Sequence, residues 1–335
     1  MGYIIRALSL LVVLLQLISC SSEEECGYQP EELEFSVELN IQRLENEMLE
    51  LKTREKVSRF MEKEPLITKY FLLRDEYPND SIFITEMVRR FNNPHIDTLK
   101  MEINRIFPDM SKLEREFEEA FSLLNHYYPE VTIPQIKTVA TGFDYDLFVS
   151  DTLIVVGLDY YLGEDSKYRP MQTYNYILQR YKPKYIVPSV MLLYGISSDF
   201  NDTNKEDISV LSDMISYGKS FYFSKRMLPC TPDSILIWYS DVEMNGAREN
   251  EKIIWSHFLR ENLLWESSHL VKKKYLDERP KTFEISPDCP PRIGTWLGWQ
   301  IVKEYMKSHP EVTLQELMSN QDAKRIFDES EYRPG

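Results

Sequence analysis

Leu153-Ile154-Val155-Val156-Gly157-Leu158 is an unbroken apolar run, bounded on its N-terminal side by the turn residues Ser150 and Asp151. A run this short, β-branched and uncharged reads as a strand buried on both faces. Outward from it, Ile136–Val139 and Leu147–Val149 read as two further short strands, with Gly142 and Asp144 between them. The close spacing predicts a hairpin over residues 135–158. Earlier, Val37, Leu39 and Ile41 alternate with polar residues between Ser36 and Gln42, a half-buried strand pattern. The remainder reads as helix. Ser111–Tyr127 is the clearest case: Leu113, Phe117, Phe121 and Leu124 form one stripe, and Ser111 precedes Glu114 at capping-box spacing. The expected class is α+β, mainly helical with a small, mostly antiparallel sheet. It divides into a helical part to about residue 130, the hairpin, and a helical part over 170–335.

The first twenty residues have a different character. Arg6 precedes the apolar run Leu8–Leu15, and Leu17-Ile18-Ser19-Cys20 follows. The run is too short to span a bilayer and sits where an export signal sits. Leu-Ile-Ser-Cys resembles the bacterial lipobox, which implies a leader over residues 1–19 and a palmitate-type lipid anchor on Cys20. The anchor would hold the chain to a membrane, since each buried methylene of an acyl chain contributes about 0.8 kcal/mol. Residues 20–35 then form a tether that carries Glu23, Glu24 and Glu25. An acidic triplet beside such a cysteine resembles the tag for the outer face of the outer membrane. Residues 36–335 are expected to form one globular body.

Composition limits the rest. The 335 residues carry 39 Lys plus Arg against 54 Asp plus Glu, a net charge of −15. This balance repels phosphate backbones, so no nucleic-acid partner is expected. With 21 Tyr, 16 Phe and 5 Trp the chain has too much large apolar surface to remain unfolded. The tyrosines also raise a glycan-binding alternative, which predicts an exposed aromatic platform. The five histidines contain no pair four apart, so a His-Glu-x-x-His zinc helix is absent. There is no Gly-x-Ser-x-Gly elbow, Walker loop or Gly-x-Gly-x-x-Gly turn. No cofactor is expected. Beyond Cys20 and Cys26, Cys230 and Cys289 lie in proline-rich loops and could pair in an oxidising compartment.

Three segments have more order than a random surface. Ile208, Leu211, Ile215, Gly218 and Tyr222 share a helical face, with Lys219 one turn beyond Ile215. Glu251, Trp255 and Phe258 align at i, i+4 and i+7, so the carboxylate is expected to be partly buried and to need a partner, for which Lys219 is available. Gly294 and Gly298, four apart in an apolar helix, should allow another element to approach closely. A hydrolase alternative would build a metal site from Glu249, Glu251 and His257.

These segments, with Val156–Gly163, Met214–Lys219, Asn250–Phe258, Arg292–Val302 and the terminal Phe327-Asp328-Glu329-Ser330-Glu331-Tyr332-Arg333-Pro334, resemble the gliding-motility lipoprotein family GldB of Bacteroidota. The resemblance implies an envelope lipoprotein whose partners belong to the gliding and linked secretion machinery. A more distant likeness is to zincin metallopeptidases. It would place Ile215 and Lys219 at the two His positions, Ser216 at the general-base position and Glu251 at the third ligand. Isoleucine cannot ligate, an ammonium repels a divalent cation and serine is a poor base. The likeness therefore implies a zincin-like pseudo-enzyme without the metal site, in which the charge of Lys219 replaces that of the metal and pairs with Glu251.

Overall fold

The computed structural model describes residues 37–170 and 173–334. The leader, Cys20, the acidic tether and Cys26 lie outside the described residues. In chain order come β1 (Ile41–Arg43), α1 (Glu45–Met48), α2 (Arg54–Lys63), α3 (Asp80–Phe91), α4 (Ile96–Ile106) and α5 (Ser111–Tyr127). The sheet continues with β2 (Gln135–Val139), β3 (Leu147–Val149) and β4 (Leu153–Gly157). Then follow α6 (Asn175–Leu178), α7 (Ile186–Ile196), α8 (Val210–Met227), α9 (Asp233–Leu236), α10 (Asp241–Glu249), α11 (Glu251–Arg260) and α12 (His269–Tyr275). The chain closes with α13 (Ile293–Ser308), α14 (Leu314–Ser319) and α15 (Ala323–Ser330). Mainly helical with a small sheet is therefore correct.

The sheet is mixed, in the order β1-β2-β4-β3, and this corrects the expectation of mostly antiparallel strands. β1 pairs with β2 and β2 with β4 in parallel, Ile41 facing Ile136 and Ile136 facing Ile154. Only β3 with β4 forms a hairpin, Phe148 facing Val155. The connection between β1 and β2 runs through α1 to α5, a long crossover of the kind a parallel pair requires. β4 is buried along all five residues, as its uninterrupted apolar run predicts.

The alternating segment before β1 is ladder-free from Val37 to Asn40. It is held instead by α5. The amides of Val37, Leu39 and Ile41 donate to Ser122 Oγ (2.9 Å), Glu118 Oε1 (3.1 Å) and Glu114 Oε1 (3.1 Å). The spacing fits because every second residue of an extended chain advances roughly 6.6 Å, close to the rise of four helical residues, about 6 Å. Glu114 is thereby taken from the expected capping box. Ser111 Oγ donates to Asp109 instead, and Met110 is the N-cap.

After β2 the chain turns through Gly142 and Phe143, both at positive φ. Asp159 holds that turn: its Oδ2 accepts from the amides of Thr141 (3.1 Å), Gly142 (2.7 Å) and Phe143 (2.8 Å). The same loop leads into β3, so Asp159 sets where the edge strand begins.

The helical core centres on the crossing of α8 and α13. A Cβ on Gly298 would collide with the main-chain carbonyl of Met214, and one on Gly218 with the carbonyl of Gly298. The two glycines let the helix backbones touch, as Gly298 predicts. Trp299, fully buried, packs against Phe221 with ring centroids 5.3 Å apart. Ile208, expected on the same helical face, is 59% exposed and lies before the helix, because Ser209 is the N-cap.

Candidate functional site

The residues of the expected pseudo-active site fall into two separate fixtures. Ile215 is an ordinary core residue of α8. Ser216 contributes its main-chain carbonyl, which accepts from Asn201 Nδ2 at 3.0 Å and Ser220 Oγ at 3.0 Å. Lys219 is 2% exposed. Its ammonium donates to the carbonyls of Asp202 (2.7 Å), Met318 (3.1 Å) and Asn320 (2.8 Å), which uses all three of its protons. Burial pushes its pKa down to about 8, so it remains mostly charged at neutral pH. Lys219 thus ties α8 to the loop after α7 and to the end of α14.

Glu251 does not pair with Lys219. Its Oε1 accepts the hydroxyl of Tyr332 at 2.6 Å. Tyr332 and Phe327 both pack on Trp255, at centroid distances of 5.1 and 5.9 Å. The buried-carboxylate expectation is met with a different partner: a terminal tyrosine, which gives a hydrogen bond without placing a second charge in the interior.

The alternative metal set is likewise not assembled. His257 Nε2 meets Tyr275 Oη at 2.9 Å, and His257 Nδ1 lies 3.2 Å from Arg260. Arginine only donates, so Nδ1 is the acceptor and Nε2 carries the proton toward Tyr275. Burial lowers the pKa of His257, which keeps it neutral. Glu249, Glu251 and His257 do not converge, and among the described residues no three His, Cys, Asp or Glu side chains form a metal-binding group.

The expected Cys230–Cys289 disulfide is also corrected. Cys289 is a free, buried thiol, its pKa pushed up to about 12 by burial. Cys230 is disulfide-bonded, but not to Cys289. The loop around Cys289 is held by main-chain bonds instead, with the Thr282 amide donating to the Cys289 carbonyl at 3.0 Å. Of the tyrosines, the exposed Tyr174 stacks on the half-buried Tyr176 at 5.6 Å and 14°, and the exposed Tyr70 stacks on Phe148 at 5.9 Å and 15°.

A concave feature that composition did not reveal lies at the free end of the sheet. A groove of about 780 Å³ runs between the end of α5, the β3–β4 turn and the end of α7. Tyr127, Tyr128, Leu193, Tyr194 and Phe200 give it an apolar lining, and Glu130, Asp151 and Asp199 are its charged residues. Tyr128 stacks edge-on against Phe200 at 5.1 Å. Its hydroxyl is buried with no hydrogen-bond partner among the described residues. Tyr194 reaches across to the Ser150 carbonyl at 3.3 Å and fixes α7 against the β3–β4 turn. The sequence signal was Tyr127-Tyr128-Pro129, which ends α5 with two aromatic rings.

A family model described as gliding motility protein GldB matches residues 25–334. The chain belongs to that family. No curated protein and no solved structure matches it. Membership makes it a lipoprotein of the cell envelope associated with gliding motility. Among the described residues no helix is long and apolar enough to cross a membrane. In this GldB-family chain the matched region includes both fixtures, Lys219 with its three carbonyls and Glu251 with Tyr332, as well as the groove.

Proposed function

We propose that the chain is a non-catalytic accessory or scaffold protein of the gliding machinery and of the secretion apparatus linked to it. In this reading it is anchored through lipid on Cys20 to the outer membrane. Family membership supports the setting. The absence of catalysis is supported by one observation above all: at positions where the zincin likeness would require ligands, Lys219 gives all three of its protons to main-chain carbonyls and Glu251 Oε1 accepts from Tyr332, so both side chains hold the C-terminal segment. A lysine that gives three protons to main-chain carbonyls is a structural tie and, while protonated, has no free lone pair for chemistry. In this reading the Lys219–Glu251 pairing that the zincin likeness implies is replaced by two separate braces.

Replacement of the chromosomal copy by Cys20→Ala, Glu251→Gln and Lys219→Met tests this. Cys20→Ala should move the protein out of the membrane fraction and abolish gliding. Glu251→Gln should impair gliding only in proportion to lost protein level, and recover at lower temperature. A stable, correctly located Glu251→Gln protein without function, or stoichiometric zinc in the purified wild type, would overturn the non-catalytic reading.

A further inference from the structure

The geometry points to the groove beside β3 as a docking site for an extended, basic segment of a partner protein, added to the sheet edge with an apolar side chain seated between Tyr128, Leu193 and Phe200. The inference deepens the accessory reading and rests on it for its biological setting.

Three observations carry it. First, β3 is an edge strand, with no strand paired to its outer side among the described residues and Tyr70 stacked on Phe148 at 5.9 Å. The Gly157 amide donates to the Asp146 carbonyl and the Ser150 amide to the Leu153 carbonyl, both at or beyond the ends of β3. With Phe148 facing Val155, this places residues 146, 148 and 150 at the inward hydrogen-bonded positions. The alternation turns the amide and carbonyl of Leu147 and Val149 away from β4. The Leu147 amide is taken by Asp146 Oδ1 at 2.8 Å. Val149 lines the groove. An edge of Leu-Phe-Val carries no charge, proline or bulge of the kind that discourages pairing, and all three residues are half-buried. Main-chain pairing with an added strand is the recognition mode such an edge offers.

Second, the groove has a polar vacancy. Tyr128 lines it with a buried, unpartnered hydroxyl, and burial pushes that phenol up to about 12, so it stays a neutral donor. A buried hydroxyl of this kind is destabilising unless a partner arrives.

Third, the charge is one-sided. Glu130, Asp151 and Asp199 line the groove, no Lys or Arg does, and none of the three makes an ion pair among the described residues. Asp199 accepts from Ser197 Oγ at 3.0 Å and Asp151 from Thr152 Oγ1 at 3.3 Å. Arg226 is not among the lining residues; it lies over the Tyr127 ring at 5.3 Å and donates to the Tyr127 hydroxyl. Carboxylates around an apolar slot favour Lys or Arg flanking an apolar residue, and they disfavour anionic lipid and acidic peptides.

The test uses the full-length lipoprotein in detergent micelles and two fluorescein-labelled peptides, Lys-Val-Phe-Val-Lys and Glu-Val-Phe-Val-Glu, with binding followed by anisotropy. The basic peptide should bind about tenfold more tightly, and the preference should shrink with added salt. Asp151→Asn with Asp199→Asn should erase the preference. N-methylation of both valines should weaken the basic peptide by about tenfold, because it removes the main-chain donors. Leu193→Trp, whose side chain fills the slot, should abolish binding while thermal unfolding stays like wild type. Equal affinity for the two peptides, binding indifferent to Leu193→Trp, or no saturation with either peptide at about 1 mM would overturn the proposal. So would self-association of the lipoprotein that Leu193→Trp abolishes, since it would assign the groove to a second copy. Normal gliding without the protein would overturn the accessory reading alone, and lost peptide binding would overturn the groove alone.

Discussion

Tyr332 donates its hydroxyl to Glu251 Oε1 at 2.6 Å while the edge of its ring meets Trp255 at 5.1 Å. One side chain from the chain's last turn therefore closes two groups on α11. Removal of the hydroxyl alone, in Tyr332→Phe, keeps the ring contact and leaves the carboxylate without this donor. A loss of about 1–3 kcal/mol is expected in urea unfolding. Glu251→Gln keeps an acceptor and should lose less. A chain ending at Asp328 should be destabilised more than Tyr332→Phe, because the ring contact with Trp255 is lost along with the hydroxyl.

The ammonium of Lys219 gives a pH-dependent signature. Its folded pKa is about 8, below the ordinary 10.5. Below about pH 8 both folded and unfolded chains hold the proton. Between 8 and 10.5 only the unfolded chain does, so the contribution of Lys219 to stability rises with pH across that window. Lys219→Met also strands the carbonyls of Asp202, Met318 and Asn320, with an expected loss of roughly 3 kcal/mol near neutral pH. The stability gap between wild type and Lys219→Met should widen from pH 8 to pH 10. A gap that narrows over this range would show that the depressed pKa is wrong.

The contact of Gly298 with Met214 and Gly218 makes the α8–α13 crossing intolerant of a methyl group. Gly298→Ala and Gly218→Ala should each destabilise by at least about 2 kcal/mol, against the usual small gain from Ala in a helix. Because either methyl forces the same helices apart, the double variant should fall well short of additive. Thermal unfolding of the two single variants and the double variant measures this.

Cys289 should behave as a sealed thiol. Iodoacetamide ought to leave it unmodified in the folded protein, since it is 6% exposed and its thiol is held far from the thiolate. It should be labelled once the chain is unfolded. Non-reducing peptide mapping should recover no Cys230–Cys289 linked pair, and Cys289→Ala should change stability by less than about 1 kcal/mol.

The sequence made some of these features readable because local pattern and burial coincide. Leu113, Phe117, Phe121 and Leu124 mark the buried face of α5, Leu153–Leu158 marks the central strand, and Gly298 marks a close backbone crossing. Sheet direction was not readable. Alternation in Val37, Leu39 and Ile41 tells which side faces inward, but it does not name the neighbour, and β2 lies more than ninety residues beyond β1. The partners of Lys219 were hidden for another reason: they are main-chain carbonyls, which every residue has, and two of them come from α14 and the turn after it. The charge of Glu251 pointed to a cation, whereas the fold supplied a tyrosine eighty-one positions away. The groove was hard to read because it is made by the ends of three elements, and of these only α5 carries a local mark, Tyr127-Tyr128-Pro129, which does not name the other two.

The strap from Val37 to Ile41 has a mechanical meaning. Its three amide bonds to α5 and the parallel pairing of β1 with β2 all lie across the direction of the chain. Tension applied at the N-terminal side, where a lipid anchor would hold the protein, strains these bonds together in shear. It does not open them one after another, as peeling from a hairpin end would. Load carried along this segment is thus shared by all of these bonds at once.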